Sequence, residues 1–151
     1  MKLKHSLFAL MFAAVLPLAA HADLPGKHPA YLHALTDLRD ARWNLDHRPG
    51  DAAVSGQEDV AVTEIDKAIG EIKKAAIDDG KDVRDHTHED ANLDHAGRLH
   101  HALELLKKAE ADVSSEEDNP ENRGLQERVR KHIHEAIHAA EHALHDAEEH
   151  K

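Results

Sequence analysis

The sharpest chemical pattern in this chain is His134-Glu135-Ala136-Ile137-His138. Two imidazoles four positions apart on a helix can share a divalent metal while the glutamate activates water, the logic of the H-E-x-x-H zinc proteases. The rest of such a site is missing. No third ligand follows at the expected spacing, and the chain ends 13 residues after His138. With Ile133 as the core direction, His134 lies about 100° and His138 about 140° around the helix, so the pair faces outward rather than into a cleft. A di-iron carboxylate site fails on ligands, because Glu135-Ala136-Ile137-His138 has Lys67-Ala68-Ile69-Gly70 as its counterpart in the first half of the chain. Serines and threonines stand in no nucleophilic constellation, and no glycine-rich phosphate loop is present. The expectation is that this protein is not an enzyme.

What remains is histidine in bulk, with 14 outside the first 22 residues. His134, His138, His142 and His145 form a flank at spacings of four, four and three, which can chelate Zn, Cu or Ni without a preformed pocket. His86-Thr87-His88, beside Asp85, Glu89 and Asp90, is a second candidate. The competing reading is a solvated helix face on which His stands where Lys or Gln is usual, without the neighbours that orient a true ligand. Both methionines precede residue 22 and there is no cysteine, so a soft metal or a haem has no thioether or thiolate to bind.

The elements that must position these residues are written twice. Ile65-Asp66-Lys67-Ala68-Ile69 returns 68 positions later as Ile133-His134-Glu135-Ala136-Ile137, and Ala34, Leu35, Leu38 and Ala41 return as Ala102, Leu103, Leu106 and Ala109. Apolar residues at spacings of three and four predict a first helix from Pro29 to about His47 and a second from about Gly56 towards Gly80. A third is predicted over about 95–115 and a fourth over about 121–149. No stretch alternates as a strand does. The predicted fold is all-α, an up-down-up-down four-helix bundle of two tandem helix-loop-helix repeats. Residues 28–80 form the first hairpin, 81–94 a polar linker and 95–150 the second hairpin. The alternative is a homodimer, since one hairpin cannot bury its apolar stripe alone.

Residues 1–22 read as a signal peptide: Lys2 and Lys4 precede an apolar run to Ala20, and Ala20-His21-Ala22 is a small-x-small cleavage site. The expected compartment is the periplasm or outside. Losing Lys2 and Lys4 leaves 17 basic against 30 acidic residues, a formal charge of −13. That surface argues against nucleic acid and, once the leader is removed, against an anionic membrane. An unknown protein and a divalent metal remain as partners.

The runs His28-Pro29-Ala30-Tyr31-Leu32-His33-Ala34-Leu35-Thr36-Asp37-Leu38-Arg39-Asp40-Ala41-Arg42-Trp43, Ala75-Ala76-Ile77-Asp78-Asp79-Gly80-Lys81 and Arg98-Leu99-His100-His101-Ala102-Leu103 resemble a set of small exported bacterial proteins of unknown function. The resemblance covers most of the chain after residue 22. It implies a secreted helical domain and supplies no activity.

In an up-down-up-down order, eleven of the 14 histidines fall in one half of the bundle, with His47, His132 and His134 outside it, which favours a function at that end. The metal-ligand candidates are His86, His88, His100, His101, His138, His142 and His145. His100 or His101 is expected to converge on His142 or His145, with His86 or His88 closing the site. Arg42 and Glu110, equivalent under the repeat, are expected to pair across the bundle seam. Two functional readings follow: a non-catalytic interaction or stress protein whose histidines tune charge with pH, and a periplasmic metal buffer, carrier or sensor.

Overall fold

Helix starts are set locally. Ser55 and Glu58 form a capping box: the Ser55 N–H donates to Glu58 Oε2 (2.9 Å) while the Glu58 N–H donates to Ser55 Oγ (3.4 Å). Asp94 caps the next helix, its Oδ1 accepting from the Gly97 N–H at 2.8 Å. A Cβ at Gly97 would come within 2.9 Å of that Oδ1, so glycine leaves room for the cap.

The computed structural model describes residues 29–47, 55–78, 93–114 and 123–149. They form α1 (Pro29–Asp46), α2 (Gly56–Asp78), α3 (His95–Val113) and α4 (Arg123–Glu149), with no strand among them. The leader pattern, the loops containing Pro49 and Pro120, Gly80 and most of the linker, with His86 and His88, lie outside the described residues. No helix among the described residues is long and apolar enough to cross a membrane.

The chain is an all-α four-helix bundle, as the repeat predicts. Residues equivalent under the offset are buried in both hairpins: Leu35 and Leu103, Leu38 and Leu106, Ile65 and Ile133, Ala68 and Ala136, Ile69 and Ile137. Each large aliphatic side chain so buried contributes about 1.5–3 kcal/mol. The alanines between them let the helices approach closely.

The order of directions differs from expectation. Asp37 meets Lys108 (2.9 Å) and Trp43 lies under Arg98 (5.1 Å to the ring centroid), so α1 and α3 are antiparallel. Glu71 meets Arg128 (2.9 Å) and Glu64 meets His132 (2.7 Å), so α2 and α4 are antiparallel too. Lys107 on Glu141 and His100 on Glu148 give the same sense for α3 and α4. The bundle therefore runs up-down-down-up, and α3 starts beside the start of α2, where His95 Nε2 lies 2.8 Å from Glu58 Oε1.

The physical reason is the repeat itself. Two equivalent hairpins bury equivalent stripes most simply by facing each other across a two-fold axis, and an axis perpendicular to the helices makes equivalent helices antiparallel. Glu64 and His132, 68 positions apart, touch where that pseudo-axis passes. Such an order needs a long crossover after α2, and segment 79–94 has that length. At about 3.3 Å per residue it can reach roughly 50 Å, more than the roughly 35 Å rise of a helix the size of α2.

The antiparallel α2·α4 contact is open to a direct test. With cysteine at Glu64 and His132 in this cysteine-free chain, a short bismaleimide should cross-link the chain internally in high yield. A simple up-down-up-down order would put α2 and α4 on the bundle diagonal, and the cross-link would fail.

Candidate functional site

Imidazoles in this bundle are set against glutamates. Four such pairs join different helices: His95 to Glu58 (2.8 Å), His132 to Glu64 (2.7 Å), His100 to Glu148 (3.3 Å) and His134 to Glu110 (3.7 Å). Three more lie along one helix: His101 with Glu104, His138 with Glu141, and His145 with Glu149. Of the interhelical carboxylates Glu58 is the most enclosed, its side chain 1% exposed and holding both the α2 cap and the His95 ring.

A second set of carboxylates meets permanent cations. Burial works to push the Glu64 carboxyl up, but hydrogen bonds from Lys67 and His132 together hold it below the ordinary carboxylate range. Lys74 and then Arg128 hold Glu71 low in the same way. Asp37 goes the other way: burial raises it, and its bond to Lys108 offsets only part of that. The Asp66 carboxylate keeps the Arg42 guanidinium firmly protonated, its Oδ1 accepting from the Arg42 Nε–H at 2.7 Å.

No family model, curated protein or solved structure matches this chain. Its site must be read from its own residues.

The histidine-rich end is rearranged by the corrected helix order. His95, His100 and His101 at the start of α3 share an end with His142 and His145 at the end of α4, as expected. His47, at the end of α1, now joins them, stacked on Trp43 with centroids 4.4 Å apart, and His33 moves to the opposite end. Of the expected ligands, His86 and His88 lie outside the described residues. His100 turns to Glu148, His101 to Glu104 and His145 to Glu149, and His142 has no polar partner among the described residues. Among the described residues no group of three or more His, Asp or Glu could hold a metal ion, so the expected convergence of α3 and α4 imidazoles is not found there.

Arg42 and Glu110 do not pair with each other. Each takes a partner from its own hairpin, Arg42 with Asp66 and Glu110 with His134. Because the second pair is the first moved by 68 positions, the two hairpins carry the same clamp with its charges exchanged. The expectation failed because both residues face sideways along their hairpin rather than across the two-fold seam. A polar groove between α1 and α2, lined by Arg39, Arg42, Trp43, Asp46, Asp66 and Lys73, sits beside the first clamp.

Sequence reading missed Glu58 and Glu64, and with them the pairing of His95 with the first and of His132 with the second. One signal was present: Ser55-x-x-Glu58 is a capping-box spacing. Nothing local marks Glu64 and His132 as partners, since their contact follows from the two-fold relation of the hairpins.

The signs of the carboxylate shifts make a prediction. A folded-state value below the unfolded one means that Glu64 and Glu71 contribute stability above the ordinary carboxylate range, and that this is lost as pH falls through the folded value. Asp37, shifted up, weighs against folding once ionised, and acid relieves that. Glu64→Gln should therefore lower urea-unfolding stability by about 1 kcal/mol at pH 6, and the difference should shrink below about pH 4.

Proposed function

We propose that this chain is an exported, non-catalytic, histidine-rich helical protein whose association responds to pH. Export is supported by the leader pattern of residues 1–22 and by the resemblance to small exported helical proteins. The observation that carries the pH reading is the placement of His95, His100, His132 and His134 against glutamates of neighbouring helices. Imidazole is the side chain whose ordinary titration, near 6.5, falls between neutral and mildly acidic conditions. Protonation completes an ion pair at each of these seams and cancels negative charge at the surface. Without residues 1–22 the chain carries a formal −13 and 14 histidines, so full imidazole protonation brings it close to neutral. Self-repulsion, which keeps such a protein apart from copies and partners at pH 7.5, then largely disappears.

A second reading, periplasmic divalent-metal binding, buffering or sensing, draws on one observation: the Nε2 atoms of His134 and His138 face each other at 3.1 Å.

The first reading is tested by sedimentation velocity and thermal melting at pH 7.5 and 5.5. The expected outcome is self-association at pH 5.5, with a melting temperature that rises with protein concentration there and not at pH 7.5. The same sedimenting species with the same melting temperature at both values would show that the histidines are only a solvated surface.

A further inference from the structure

We propose that His134 and His138 form a two-nitrogen chelate for one borderline divalent cation, with Cu2+ bound most tightly and water filling the remaining positions. This rests on the metal-binding reading above and assigns it a site. The Nε2 atoms lie 3.1 Å apart with the two rings nearly perpendicular, at 89°. A cation bonded to both at about 2.05 Å would see them at roughly 100°, between the square-planar and tetrahedral angles that Cu2+, Ni2+ and Zn2+ accept.

At 3.1 Å the two inner nitrogens are within hydrogen-bond distance, one ring donating to the other. His134 Nδ1 is turned to Glu110 (3.7 Å) and His138 Nδ1 to Glu141 (4.0 Å), and Lys107 holds that second carboxylate at 3.2 Å. At these distances neither carboxylate is hydrogen-bonded to its ring, but their negative charge favours a cation held between the two imidazoles. A cation that takes both nitrogens moves the hydrogen between them to the outer Nδ1 of its ring, and so exchanges one hydrogen bond for two coordinate bonds.

Exposure permits entry, since the two side chains are 60% and 57% exposed on α4. The site is a chelate and not a hydrolytic centre. A zinc hydrolase needs three protein ligands around its metal, and no group of three that could hold one occurs among the described residues. Because both Nε2 atoms must be bare, protons compete with the metal, and affinity should fall as pH drops below the ordinary imidazole range.

The test is a Cu2+ titration of the full chain at pH 7.5, followed by isothermal calorimetry and by electron paramagnetic resonance. The parent should bind one tight equivalent whose spectrum carries hyperfine structure from two equivalent nitrogens. His134→Gln and His138→Gln should each weaken that equivalent by at least about tenfold and remove the two-nitrogen signature, while far-UV circular dichroism keeps its helical form. Glu110→Gln should weaken it less, and the double variant His142→Gln, His145→Gln should leave it intact. If the single variants keep the parent's affinity and spectrum, the metal sits elsewhere: this site is wrong while the metal-binding reading stands. A parent that binds no tight equivalent overturns both.

Discussion

One hairpin of this chain has an apolar stripe and nothing within itself to cover it. Leu35, Leu38, Ile65 and Ile72 are buried in one core cluster with Leu106, Val129, Ile133 and Ala140 of the second hairpin. Two copies of one stripe meet most simply when each presents the same surface to the other, as in a symmetric dimer. The remaining features follow from that choice. Equivalent helices become antiparallel, Glu64 and His132 come together although 68 positions separate them, and α3 begins beside the start of α2. In this sense the bundle is a dimer of hairpins joined into one chain.

The elements were legible because their signals are local. Three- and four-residue spacing gives the helices and their buried faces, proline and glycine punctuate the loops, and the 68-residue offset announces a duplicated unit. The direction of the second hairpin was not legible. Apolar periodicity says which face is inward but not which way the partner runs, and the segment after α2 suits either a loop at one end or a passage to the other. The candidate site inherited the difficulty. That His100 and His145 share an end survives either order, because α3 and α4 form a hairpin in both. That His95 meets Glu58, or His132 meets Glu64, depends on the order itself. Glu110 was expected at the seam between hairpins, whereas the contact it makes lies within its own.

The duplication also shows where the halves have parted chemically. In the first hairpin the clamp between helices is Arg42 on Asp66, and a guanidinium stays protonated at every pH the carboxylate survives. In the second, the equivalent clamp is Glu110 on His134, with polarity reversed and an imidazole in place of the permanent cation. On the functional reading proposed, the first hairpin is a constant scaffold and the second is its responsive half.

His134 gives this asymmetry a second consequence. Its Nδ1 faces Glu110 and its Nε2 faces His138. A proton on Nε2 and a metal ion on Nε2 both place positive charge on a ring that lies beside the same carboxylate. They are rivals for the nitrogen and equivalents for the clamp. Mild acid and a divalent cation are thus expected to exclude each other at His134 while strengthening the same contact between α3 and α4. A side chain chosen only to fill a solvated face has no reason to join these two roles, whereas one placed between a carboxylate and a second imidazole joins them by geometry alone.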